Sequence, residues 1–307
     1  MSGYDFSSLK SIAVVAHDAG AANLLAFWLK DEVDRSEWHK FLFYVAGPAE
    51  HIFRQLFPAA KYCAYDLQSM IKKSDLLLSG TGAGSSLEYD ARHYARQQGI
   101  TSIAIIDHWV NYPIRFERDG QRILPDEIWV CDAYAQEKAL NCFPEVCVRQ
   151  IENYYLNSLV ERIRTLSNDE DTHNGIKNVL YLLEPIGNYW GTDSGEFDAL
   201  EYFLQYLASL KAASEYKIIL KPHPSEPTDK YKGYVGEYGK YSIEIAYDEE
   251  LYSLIGWADW VVGCETFAMV VALSAGKDTF STIPPWGKPC RLPYENIIQI
   301  RDIYEVL

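Results

Sequence analysis

Apolar residues in the first half of the chain fall into short unbroken runs, separated by stretches with helical spacing. Ser11–Ala16 (SIAVVA) has no polar face, the pattern of a parallel strand covered on both sides. Further runs of this kind are Phe41–Val45, Asp75–Ser79, Ser102–Ile106 and Glu127–Cys131. Between them lie helical patterns, among them Leu24–Leu29 and Ser85–Gln98, the latter stopped by Gly99. Such alternation predicts βαβ units and a parallel sheet.

The pattern lapses at Ser167–Gly175, which is polar, acidic and without apolar period, and so reads as a linker. It then restarts. Strands are expected at Asn178–Leu183, Tyr216–Leu220, Tyr241–Ile245 and Trp260–Val262, with a short one at Ile297–Ile300. Helices are expected near Glu196–Lys211, Glu249–Ile255 and Thr266–Ala275. The chain is therefore α/β, with two doubly wound Rossmann-like domains, 1–165 and 178–307, joined by a linker at 166–177 and facing a central cleft.

Composition narrows the partners. With 28 Lys+Arg against 43 Asp+Glu, the net charge of −15 disfavours a sequence-independent grip on nucleic acid, though a local basic patch can still hold a phosphate. The cysteines Cys63, Cys131, Cys142, Cys147, Cys264 and Cys290 form no CxxC pair and have no His at zinc spacing. They read as free thiols of a reducing compartment, with no metal site. No basic stretch leads into an apolar core at the start of the chain, and no apolar run approaches the ~20 residues of a membrane span. A cytoplasmic protein is the expectation.

In open parallel sheets, ligands bind outside the carboxyl ends of strands, so chemistry belongs in the turns that follow them. After Tyr216–Leu220 comes Lys221-Pro-His-Pro-Ser-Glu226. Pro222 and Pro224 fix the backbone around His223, and Lys221 supplies charge beside it. A held imidazole there suits binding a phosphate or protonating a leaving one, with Ser225 and Glu226 completing the turn. The same His would also serve to cap a carbonyl. After Trp260–Val262, Thr266 stands where a helix begins, able either to cap it or to help hold an anion. Glu265 can accept from ribose hydroxyls or simply favour the first helical turn, and Glu184, after Asn178–Leu183, is compatible with the donor side.

The strand followed by Lys221-Pro-His-Pro, and then Gly263-Cys-Glu-Thr leading to Ala272-Leu-Ser-Ala-Gly-Lys277, resembles the donor half of GT-B glycosyltransferases. Within them it is similar to bacterial surface-polysaccharide enzymes with an HP motif, the sialyl-, polysialyl- and Kdo-transferases that use CMP-activated sugars. CDP-glycerol-type polymer transferases show similar turns. The resemblance implies that His223 and Thr266 contact the donor phosphate. Val271 stands where these families often carry a Glu, which leaves Glu265 as the substitute for ribose. The first half is matched by architecture only.

In that first half, His17-Asp-Ala-Gly-Ala-Ala-Asn23 closes the first strand. Asp18 suits the base that takes the acceptor's proton, with His17 beside it, although an Asp cap of the next helix would look the same. Gly80, Thr81 and Gly82 follow Asp75–Ser79 but lack the Gly-Lys-Ser/Thr ending of a phosphate loop, so they read as a snug acceptor-side turn. Asp107, His108, Asn111 and Arg115 are interleaved with Trp109, Tyr112 and Phe116 after Ser102–Ile106, a mixture suited to a sugar or to packing around an Asp107–Arg115 ion pair. Asp107 is the rival base.

The sequence thus points to an enzyme of polysaccharide biosynthesis. It would be a metal-independent glycosyltransferase without a cofactor, moving a CMP-linked acidic sugar to a glycan or lipid-linked glycan. A lipid-linked acceptor would call for peripheral association with membrane-bound assembly machinery. A nucleotide-sugar 2-epimerase and a non-catalytic nucleotide-sugar-binding subunit share the same architecture.

Overall fold

Ile12–Ala16 forms the central strand β1, and all five residues are buried. Alternation explains why it needs no polar face. Ile12, Val14 and Ala16 join one core, with Trp28, Phe41, Phe53 and Trp129. Ala13 and Val15 join a second core on the other side, with Met70, Leu77, Ala91 and Ala95.

The computed structural model describes residues 6–63, 66–82, 84–166, 175–191, 194–210, 215–223, 225–227 and 229–304. Contacts divide the chain into two units, Met1–Tyr155 and Leu156–Leu307. In the first, β1 is followed by α1 (Ala19–Glu32), β2 (Phe41–Val45), α2 (Pro48–Leu56), β3 (Lys61–Tyr62), α3 (Leu67–Lys72), β4 (Leu76–Ser79), α4 (Leu87–Gln98) and β5 (Thr101–Ile105). Next come β6 (Glu117–Arg118), β7 (Gln121–Arg122), β8 (Glu127–Val130), α5 (Ala133–Cys142) and β9 (Cys147–Gln150). The sheet runs β3-β2-β1-β4-β5-β8-β9 and is parallel throughout. Its order reverses between β1 and β4, the place where such sheets open a crevice. Strands β6 and β7 form an antiparallel hairpin whose turn residues Asp119 and Gly120 have φ of 50° and 73°. Both are left-handed, as a tight Asp-Gly hairpin requires.

The second unit holds most of α6 (Tyr154–Leu166), then β10 (Ile176–Leu182), α7 (Gly195–Ser209), β11 (Glu215–Lys221), β12 (Gly236–Tyr238), β13 (Tyr241–Ile245) and α8 (Leu251–Trp257). It ends with β14 (Trp260–Gly263), α9 (Phe267–Ser274), β15 (Asp278–Ser281), β16 (Ile298–Gln299) and α10 (Ile300–Ile303). The sheet order is β12-β13-β11-β10-β14-β15-β16, with only β12 antiparallel to its neighbour. Here the reversal lies between β10 and β14. Val179, Tyr181, Leu200, Phe203, Ile218 and Leu220 form the core.

Strands β3, β6, β7, β9, β12 and β15 were not expected, because they are short or carry charged and polar positions. Of the expected linker, residues 167–174 lie outside those described, and β10 already begins at Ile176. Among the described residues, no helix is long and apolar enough to cross a membrane.

Candidate functional site

In the first unit, the turns after β1, β4 and β5 are joined into one polar cluster. Glu88, on α4, is fully buried, yet both its oxygens are used: Oε1 accepts the His17 backbone N–H at 2.9 Å and Oε2 that of Gly82 at 2.8 Å. One carboxylate thereby ties together the two turns that flank the strand reversal. Burial pushes the Glu88 carboxyl above its ordinary value, while the two amides and the charge of Arg92 pull against that shift. One helical turn on, the buried Arg92 donates to the Gly80 carbonyl at 2.8 Å and the Arg115 carbonyl at 3.1 Å. Burial brings its pKa down to about 10.

Within this frame, the His17 Nδ1 lies 2.8 Å from Asp18 Oδ1. Asp18 starts α1 in extended conformation and makes no side-chain cap bond, so the carboxylate faces His17 instead of the helix amides. A Cβ on Gly82 would overlap the Asp18 carboxylate, which is why a residue without a side chain stands there. Asp107 is paired: the Arg115 guanidinium donates to it at 2.7 Å and to the Thr81 hydroxyl at 3.2 Å, and that hydroxyl donates to the Ile105 carbonyl at 2.8 Å.

The structure therefore brings together His17, Asp18, Gly80, Thr81, Gly82, Asp107 and Arg115. His108 and Asn111 lie further along the Asp107 turn. His108 Nδ1 accepts the Trp109 backbone N–H at 2.9 Å, and Asn111 is left-handed with φ of 62°. Trp109, Tyr112 and Phe116 are buried, so the aromatic part of this turn is packing and offers no open face to a sugar.

In the second unit, a pocket of about 360 Å³ opens at the reversal of the sheet, lined by residues that include Glu184, Tyr189, His223, Glu265, Thr266 and Arg291. Glu184 follows β10, and its Oε1 accepts the backbone N–H groups of Cys264 and Glu265, each at 2.9 Å. Burial pushes its carboxyl up to about 7, against the pull of those amides. His223 is exposed. Its Nδ1 accepts the Ser225 backbone N–H at 3.2 Å and lies 2.7 Å from the Ser225 hydroxyl, an arrangement that assigns the ring proton to Nε2. Thr266 stands at the N-cap of α9, and its hydroxyl makes no cap bond.

Three of the expected donor residues are engaged elsewhere. The Lys221 ammonium donates to the carbonyls of Tyr247 at 2.9 Å and Glu249 at 2.8 Å, tying down the loop after β13. Glu226 accepts from Lys230 at 2.6 Å and Tyr231 at 2.9 Å, and Lys230 continues to Glu196. Glu265 is held by Arg291 through Nε at 3.0 and 3.1 Å and through the backbone N–H at 3.1 Å. Pro224 lies outside the described residues.

Arg291, Glu88 and Arg92 were not foreseen. The Glu-x-x-x-Arg spacing on α4 was a usable signal, because it places two charges on one face of a helix that packs on the sheet. Nothing near Arg291 in the sequence points to Glu265. Among the described residues, no group of three or more His, Cys, Asp or Glu is placed to hold a metal ion.

No family model matches the chain, and no curated protein sequence does. Solved structures do match it. The UDP-GlcNAc 2-epimerase from Neisseria meningitidis, bound to UDP-GlcNAc, superposes with a TM-score of 0.56 at 12% identity, over 88% of this chain and 82% of its own. MurG from Acinetobacter baumannii gives 0.54 at 11%, over 94% and 80%. HepE from Anabaena, in complex with UDP-glucose, gives 0.52 at 10%, over 88% and 80%. Identities this low speak for the fold alone. Two doubly wound sheets in succession, matched over most of the chain by these structures, make the architecture GT-B-like.

Proposed function

We propose that the protein is a glycosyltransferase that takes its sugar from a nucleotide. The observation that carries this reading is the pocket at the reversal of the second sheet, where the His223 imidazole, the uncapped Thr266 hydroxyl and the Arg291 guanidinium border one space of about 360 Å³. That set can receive a phosphate, with Nε2–H of His223 and the Thr266 hydroxyl as donors. Two of the matched structures hold UDP sugars, UDP-GlcNAc in one and UDP-glucose in the other.

In the transfer, the acceptor oxygen forms the new bond to the anomeric carbon as the bond to the donor phosphate breaks. His223 and Thr266 take up the charge that develops on the departing phosphate. On the first unit, His17 with Nδ1–H held by Asp18 is suited to taking up a proton at Nε2, an arrangement in which a carboxylate orients the base. Asp107, neutralised by Arg115, is the weaker base. Phosphate charge is assigned to His223 and Thr266 and no metal ion is included, so turnover should survive EDTA.

The proposed donor is the CMP-linked acidic sugar that the resemblance to HP-motif transferases implies. A thermal-shift panel of CMP, CDP, UDP, GDP and their sugars tests this. Stabilisation by CMP species, lost in His223→Ala, is expected. A response to UDP species alone would replace the donor class, and no response to any would remove the nucleotide reading. Incubation with donor alone distinguishes transfer from 2-epimerisation.

A further inference from the structure

The register of the second sheet sets Glu184 between the two turns that border the pocket. Leu182 of β10 pairs with Lys221 of β11, and Tyr181 of β10 pairs with Val262 of β14. Counted on from these pairs, Glu184 stands level with His223 one strand away on one side and with Glu265 one strand away on the other. A phosphate held jointly by His223 and Thr266 therefore lies across the strand end that carries Glu184, and all three residues line the same space.

We propose that Glu184 is the residue by which this pocket selects a nucleotide carrying one phosphate over a nucleotide carrying two, an inference that rests on the donor reading above. The Glu184 carboxylate already does what a second phosphate would do. Its Oε1 accepts the backbone N–H groups of Cys264 and Glu265, the amides just ahead of α9, where an anion would otherwise be held. The chain thus fills that cradle with an anion of its own.

The cations on or beside the pocket are committed elsewhere. Arg291 is held by both oxygens of Glu265, the Lys221 ammonium by the carbonyls of Tyr247 and Glu249, and the Lys288 ammonium lies over the Tyr189 ring, 3.8 Å from its centre. A phosphodiester brings one negative charge and finds two neutral donors, Nε2–H of His223 and the Thr266 hydroxyl. A diphosphate brings a further charge to face the Glu184 carboxylate, and like charges set face to face repel. The selection follows the ionisation of Glu184. Around it stand Cys264, Glu265, His223, Arg291 and the buried Tyr181 hydroxyl. Burial keeps the Cys264 thiol and the Tyr181 phenol protonated, and Glu265 is paired with Arg291. With its own carboxyl pushed up to about 7 by burial, Glu184 is charged at pH 8 and largely neutral at pH 6.

The test compares the affinities of CMP and CDP by calorimetry, in EDTA, at pH 6 and pH 8. Both nucleotides end in a phosphate monoester that titrates at about pH 6, so the ratio of the two affinities cancels that proton. His223 is common to the wild type and Glu184→Gln, so its charge affects both alike. At pH 8 the wild type should bind CMP at least about tenfold more tightly than CDP, and at pH 6 that preference should shrink. Glu184→Gln, which keeps an oxygen for the Cys264 and Glu265 amides, should bind the two nearly alike at both values, whereas Glu184→Asp, which keeps the charge, should retain the preference. Equal binding of CMP and CDP to the wild type at pH 8, or an undiminished preference in Glu184→Gln, would overturn the proposal. The donor reading would then still stand if His223→Ala abolished binding. Should Glu184→Gln fail to fold, a wild-type ratio unchanged between pH 6 and pH 8 overturns the proposal by itself. No binding of either nucleotide to any of these proteins would remove the donor reading and the selection together.

Discussion

Asp107 fills the space that a side chain on Gly20 would need. A Cβ built on Gly20 falls inside the contact distance of the Asp107 carboxylate, so the first turn of α1 and the turn after β5 meet without a gap. In an exposed helix, Gly→Ala gains about 1 kcal/mol of helix stability. Here the sign should reverse. Gly20→Ala is expected to lower stability by about 1–3 kcal/mol through overpacking, and Gly20→Ala with Asp107→Ala should recover part of it. Denaturant titration of the two single variants and the double variant reads the coupling directly.

Asp18 and Asp107 should separate in a kinetic comparison. Asp18 bonds to His17, whereas Asp107 is held by Arg115. Asp18→Asn should lower kcat by about a hundredfold or more, the scale of a disturbed general base. Asp107→Asn should act first on thermal stability. Equal kcat losses at equal stability would make Asp107 a partner in proton removal.

Glu184 gives stability a pH signature. Burial raises its carboxyl from an ordinary 4.5 to about 7, so between those values the folded protein keeps a proton that the unfolded chain has released. Its contribution is complete below about pH 4.5 and is lost as pH rises through about 7. At 1.36 kcal/mol per pH unit, the wild type should lose roughly 3 kcal/mol over that window relative to Glu184→Gln. Unfolding free energies of both proteins from pH 4.5 to 8 check it. Parallel curves would mean that the carboxyl ionises normally.

Glu226 is an internal tie. With Lys230 and Tyr231 both donating to it, Glu226→Gln should cost about 2 kcal/mol of stability, because a half-buried ammonium loses one of its counter-charges. Chemical denaturation measures this. A loss of nucleotide affinity at unchanged stability would return Glu226 to the donor pocket.

Fold class was readable because β1, β4, β5, β8, β10, β11 and β14 are apolar runs whose character depends on their own residues. The turn positions were readable for the same reason: each follows such a run. What each side chain does in those turns was not. Lys221 stands two residues before His223 in the chain, yet its ammonium is taken by carbonyls at 247 and 249, on a loop that only the folded sheet brings beside it. Glu265 looked free, and its partner Arg291 lies 26 residues away. Such pairings are set by tertiary packing, and no local pattern encodes them. The Asp119-Gly120 hairpin is a different case, since its turn signal stood in the sequence between short charged strands that carry no apolar run.

The carboxylates of Glu88 and Glu184 each hold backbone amides of turns to which they do not belong. A turn shaped in this way takes its form from main-chain groups that every non-proline residue possesses. Where no neighbour crowds them, its own side chains can then change with ligand chemistry while the curve of the backbone persists. Two acids planted at a distance thus act as moulds, and a mould can cast many different loops.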